Sequence, residues 1–117
     1  MKFGHTFELL PPEGHKKCTS RIPAEKWYDW YKDVNMNPRR TVAEGINGEK
    51  KPIVLKFCTI QKLGLVKEKR FWDEGFSSPE SFEQIWRRLY NNFNPEMQVC
   101  TIDFDTLVAN IVYGGLP

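Results

Sequence analysis

In residues 52–60 the apolar side chains of Ile53, Leu55 and Phe57 fall on every second position, the period of a strand packed on a core. Residues 98–104 repeat the pattern with Cys100, Ile102 and Phe104 on one side, as a closing strand. Between them the period changes. Phe82, Ile85, Trp86, Leu89 and Phe93 lie along one helical face, with Glu83, Arg87 and Arg88 elsewhere. Ser77-Ser78-Pro79-Glu80 starts that helix with a serine placed to cap, a proline early in the first turn and a glutamate three residues after Ser77; Asn94-Pro95 ends it. Strands and helices that alternate without a regular βαβ repeat point to an α+β fold, a small curled sheet or β-barrel flanked by two main helices.

The rest of the chain fills in around these elements. Phe3 to Leu10 reads as a strand or a short helix leading into the turn Pro11-Pro12-Glu13-Gly14, and Lys17 to Ile22 is a short polar segment. Pro23 opens the other main helix, in which Trp27, Trp30, Tyr31 and Val34 form an apolar stripe that ends near Asn35 to Pro38. Arg39 to Lys51 is polar, contains Gly45 and Gly48, and reads as a flexible loop. The strand that follows is predicted to continue through Leu63 to Val66 after a bend. Residues 1–117 read as one domain, with a loosely packed tail from about residue 108 that includes Gly114-Gly115-Leu116-Pro117.

Composition narrows the function classes. A chain of 117 residues with 40% hydrophobic and 14% aromatic content can bury a real core. Its apolar runs, such as Ile53-Val54-Leu55, fall far short of the roughly 20 residues that cross a bilayer, and Met1 to His5 has no apolar leader character. A cytoplasmic protein without a membrane partner is the expectation. Cys18, Cys58 and Cys100 are odd in number and widely spaced, which predicts packed, reduced thiols. With only His5 and His15 as imidazoles and no ligand spacing, no metal or cofactor is expected. The net charge of +2 is too small for phosphate-driven binding of long duplexes. Local basic clusters remain at His15-Lys16-Lys17 with Arg21, at Arg39-Arg40, at Lys67 to Arg70 and at Arg87-Arg88. Nothing in the sequence sets an oligomeric state.

One segment carries a recognisable motif. Gly14-His15-Lys16-Lys17-Cys18-Thr19-Ser20-Arg21 matches G-x-K-x-x-T-x-R at all four specified positions, and so resembles the ASCH domains, a β-barrel family related to PUA RNA-binding domains. Trp72-Asp73-Glu74-Gly75-Phe76, the helix ending at Leu89-Tyr90 and the strand from Val99 to Phe104 follow in the family's usual order. The two regions together span about half the chain. Residues 23–51 depart from the family, many of whose members carry a Gly-Asp turn into a central strand where this chain has a longer, aromatic-rich segment.

The resemblance implies a barrel with a cleft on one side that engages RNA or a modified nucleoside. Within the family, bacterial N(4)-acetylcytidine amidohydrolases use the motif lysine as proton acceptor, the motif threonine as nucleophile and a downstream glutamate as proton donor. Lys16, Thr19 and Glu74 match those roles by position, and Lys17 and Arg21 join them as ligand-binding candidates.

A threonine hydroxyl needs a neighbouring base to attack an amide carbon, and a lysine serves as that base only when neutral. If residues 17–21 are extended, Thr19 and Arg21 share a face, so Arg21 can hold a phosphate or carbonyl oxygen beside the hydroxyl. Lys16 has the opposite parity, and the Gly14 turn must swing it back. Trp72 and Tyr28 are candidate platforms for stacking a base, with Trp27, Trp30 and Tyr31 turned inward. Three functions compete: an RNA- or nucleoside-binding domain, a hydrolase of N(4)-acylcytidine or RNA that uses the same residues, and a protein-interaction domain centred on the aromatic helix.

Overall fold

The two alternating runs pair with each other. In a computed structural model that describes residues 1–107, β4 (Lys50–Lys62) and β5 (Gln98–Thr106) run antiparallel from Ile53 opposite Thr106 to Lys62 opposite Gln98. β3 (Arg39–Gly45) pairs antiparallel with β4, and β1 (Lys2–Gly4) pairs parallel with β3. On the far side β2 (Cys18–Arg21) pairs antiparallel with β5, which gives the order β1-β3-β4-β5-β2. This curled, half-barrel sheet carries three helices, α1 (Ala24–Tyr31), α2 (Leu63–Arg70) and α3 (Pro79–Tyr90), an α+β architecture as expected. The tail expected to pack loosely from about 108 lies outside the described residues.

Alternation along β5 divides the core. Cys100, Ile102 and Phe104 join Phe3, Leu10, Ile53 and Leu55 in one buried cluster, while Val99 joins Leu63, Val66, Phe82 and Trp86 in a second. Each fully buried aliphatic or aromatic side chain of this size contributes about 1.5–3 kcal/mol.

Several local expectations change. Arg39 to Lys51 is not a loop, because residues 39–45 form β3 and Gly48, at φ 83°, turns the chain into β4. Only Ala43 of that strand is buried, so its place comes from the backbone ladder on β4 and not from an apolar face. Leu63 to Val66 is helical. The backbone at 95–97 accepts the first N–H groups of α2, through Leu63 N to Met97 O and Gly64 N to Pro95 O, and Leu63 and Val66 are both buried. A bulge between Leu55 and Phe57 turns Phe57 outward, 41% exposed, and brings Cys58 into the core.

The first main helix ends at Tyr31 and tightens into a 3-10 turn over Lys32–Asn35, where Val34 is buried. Trp30 lies off the buried stripe and is 61% exposed, whereas Trp27, Tyr28 and Tyr31 pack against the core. Phe3 to Leu10 divides between β1 and a 3-10 turn at His5–Leu9. In α3 the cap is Ser78, whose hydroxyl accepts from Ser81 N, so Glu80 does not close a reciprocal box. Phe82 and Trp86 are buried as expected, but Leu89 is exposed, and the helix stops at a left-handed Asn91 before Asn94-Pro95.

All three thiols are buried. Burial pushes Cys18 and Cys58 upward and Cys100 up to about 12. Thiolate is the reactive form, so native protein at pH 8 should take up no iodoacetamide over the time in which urea-unfolded protein takes up three equivalents, as counted by mass. Fast labelling of a native thiol would contradict this packing. Among the described residues no helix is long and apolar enough to cross a membrane.

Candidate ligand cleft

The motif glycine sets the entrance. Gly14 N donates to Leu10 O and Lys16 N to Leu9 O at 2.8 Å, so the chain folds back tightly before β2. A Cβ on Gly14 would stand 2.2 Å from Leu9 O, a contact that only glycine avoids. This turn carries Lys16 inward, where its side chain is 2% exposed.

The segment 71–76 reaches the same place from the other end of the chain. Arg70 pairs with both Asp73 and Asp103, which ties the end of α2 to β5, and Asp73 O accepts from Lys17 N and Cys18 N. Glu74 follows in a turn closed by Glu74 N to Arg70 O, and Gly75, at φ 108°, allows Leu9 and Lys16 to crowd against it. Glu74 is thereby buried against Lys16. Lys16 Nζ donates to Glu74 O at 2.8 Å and to Glu74 Oε1 at 3.3 Å. Ser20 Oγ donates to Glu74 Oε2 at 2.6 Å and lies 2.9 Å from the Thr101 hydroxyl.

The register of β2 on β5 places Thr19 opposite Ile102 and Arg21 opposite Cys100, one shared face as the parity argument requires. Ser20, opposite Thr101, faces the other way. The hydroxyl bonded to Glu74 is therefore that of Ser20 and not that of Thr19. β2 is an edge strand, and Lys16, Thr19, Ser20, Arg21 and Glu74 all line one cleft beside it. It encloses about 490 Å³ of empty space, part of it open to solvent. Ile85, Trp86, Leu89 and Tyr90 of α3 form an apolar wall opposite, with Phe76 and Phe82 beside them, and Phe3 and Thr6 complete the lining.

Arg21 is the second cation of this cleft. Its NH2 group donates to Lys2 O at 2.7 Å, and the Phe3 and Trp27 rings flank the guanidinium at 5.3 and 5.8 Å. Desolvation holds its pKa below the ordinary arginine value, against the opposing pull of Tyr90 and Glu74. Its Nε, like the Nε1 of Trp86, is buried without a hydrogen-bond partner among the described residues.

The remaining candidates lie elsewhere. Lys17 alternates outward between buried Lys16 and Cys18 and is exposed. Trp72, 54% exposed, stacks on the His15 ring at 3.6 Å on the outer side of the turn, while Tyr28 packs on the core. None of the three lines the cleft. The aromatic side chains that do line it are Phe3, Phe76, Phe82, Trp86 and Tyr90. Ser20 occupies an unspecified position of the motif, and the signal that could have found it was its parity opposite Thr19. Tyr90 could have been found from the family order, which already ends the helix at Leu89-Tyr90. Among the described residues no group of three or more His, Cys, Asp or Glu side chains could hold a metal ion.

No family model matches the chain, and no curated protein matches it. The solved structures similar to it in fold include protein EF3133 of Enterococcus faecalis V583, assigned to family DUF984. That likeness has a TM-score of 0.52 at 14% identity and covers 97% of this chain and 76% of that one.

Proposed function

We propose that the cleft binds a nucleobase, presented by a modified nucleoside or by RNA, in the manner of an ASCH-like domain. The observation that carries this reading is convergence. Lys16 and Glu74, 58 positions apart, meet as a buried pair beside Thr19 and Arg21, the other polar positions of the motif. The pair supplies a donor and an acceptor at the polar wall, and the apolar wall of α3 offers Tyr90 as a stacking surface.

One feature favours catalysis as a second reading. An amidohydrolase needs neutral Lys16 and protonated Glu74, and those forms differ from the ion pair only by a single proton passed between groups already in contact. The Thr19 hydroxyl lines the same cleft and is hydrogen-bonded by no described side chain, which leaves it available as the nucleophile this reading requires. RNA cleavage would draw on the same groups. A protein-interaction role would instead use the aromatic helix, where Trp30 is exposed.

The test is to incubate the protein with N(4)-acetylcytidine, other N(4)-acylcytidines and a mixed short-RNA pool, and to follow products by mass. Binding without turnover, weakened only modestly by both Thr19→Ser and Thr19→Ala, is the expected result. Deacylation that is lost in Thr19→Ala and partly kept in Thr19→Ser would establish the amidohydrolase, and shortened RNA the nuclease. Neither binding nor turnover of any of them would sink the proposal.

A further inference from the structure

The charges that line the cleft do not sum to zero. Lys16 and Glu74 offset each other at 3.3 Å, but Arg21 meets the neutral Lys2 carbonyl and the Phe3 and Trp27 rings, and no carboxylate of the described residues forms an ion pair with it. A partly buried guanidinium without a counter-charge carries a desolvation cost, and a bound anion would offset it. The spare hydrogen-bonding capacity has the same sign: Arg21 Nε and Trp86 Nε1 are buried donors without acceptors, on side chains that both line the cleft. Tyr90 lines the same cleft as Arg21, so the cleft offers an aromatic surface as well as a cation.

We infer that the cleft takes a base joined to a single phosphodiester, with Arg21 on the phosphate and Tyr90 against the base, and not a free neutral nucleoside. The inference rests on the nucleobase reading above. A phosphodiester carries one negative charge and neutralises the cleft, whereas a terminal monoester carries about 1.5–2 at pH 7 and overshoots it. A guanidinium also matches two phosphate oxygens at once, which a lysine at this position would not.

The experiment is a titration followed by tryptophan fluorescence, with each of the four ribonucleosides, the methyl esters of their 3′- and 5′-mononucleotides, and inorganic phosphate as probes. The methyl esters bear one charge and add no second base. At low salt they should bind at least tenfold more tightly than the matching nucleosides, and that advantage should shrink as added salt screens the single charge pair. Arg21→Gln should remove that tenfold advantage together with its salt dependence. Equal binding of esters and nucleosides with no salt slope would overturn the phosphate inference and leave the nucleobase reading intact. No binding of either would overturn both, and phosphate alone binding as tightly as the esters would overturn the role of the base. Should Arg21→Gln not fold, the wild-type ester-to-nucleoside ratio and its salt slope decide the matter alone.

Discussion

Glu74→Ala should cost the fold about 3–5 kcal/mol in urea denaturation followed by tryptophan fluorescence, the largest loss expected from any single polar side chain of this protein. The reason is the state in which it leaves Lys16. Lys16 is 2% exposed, its ammonium donates to Glu74 Oε1 and to the Glu74 backbone carbonyl, and after truncation only the neutral carbonyl would remain to it. Ser20 loses less, because its hydroxyl keeps Thr101 as a partner. The cost therefore belongs to an uncompensated buried charge and not to a missing hydrogen bond, whose net worth is nearer 1 kcal/mol.

Replacing both partners tests that assignment. Lys16→Met together with Glu74→Leu removes the pair and fills the space with apolar groups, and such exchanges are often neutral or stabilising. The double variant should be within about 1 kcal/mol of the wild type while Glu74→Ala alone remains severely destabilised, a large coupling in a double-mutant cycle. A loss below 1 kcal/mol for Glu74→Ala would show that water reaches Lys16 and that the pair is not closed as described. If the stable double variant also loses all ligand binding, the pair is kept for function, since the fold does not need it.

How far the sequence discloses this arrangement depends on how local each cause is. β4, β5 and α3 were legible because their own apolar periods mark them and Ser78-Pro79 marks the start of the helix. β3 was not, since Ala43 is its one buried residue and its partner strand supplies the ordering. The run Leu63 to Val66 is too short for periodicity to separate helix from strand, and the carbonyls that accept its first N–H groups sit more than thirty positions away, at Pro95 and Met97. Tyr28 and Trp30 exchanged their expected environments because the buried face of α1 runs through Ala24, Trp27, Tyr28 and Tyr31, a stripe as regular as the one through Trp27, Trp30 and Tyr31 and not separable from it in a helix this short. The site divides in the same way. The motif spacing brought Lys16, Thr19 and Arg21 forward and the family order of Trp72 to Phe76 brought Glu74, while Ser20 and the wall of α3 emerge only when the strand register and the lining of the cleft are known.

Gly14→Ala should be the most damaging conservative substitution in the motif, for a reason confined to backbone geometry. The added methyl would stand 2.2 Å from Leu9 O and 2.5 Å from Leu9 C, atoms of the main chain that no side-chain rotation can move aside. Relief requires the turn to open. That breaks the bond from Lys16 N to Leu9 O and draws the Lys16 side chain away from Glu74. Overpacking of this kind costs about 1–3 kcal/mol and the lost hydrogen bond about 1 more, so a loss of about 3 kcal/mol is expected in the same urea titration. Gly48→Ala is the control, because its turn has a positive φ but nothing within 4 Å of the new methyl, and only the milder strain of about 1 kcal/mol should appear. If Gly14→Ala proved as mild as Gly48→Ala, the close approach of Leu9 to the motif would be wrong, and with it the account of how Lys16 is turned into the cleft.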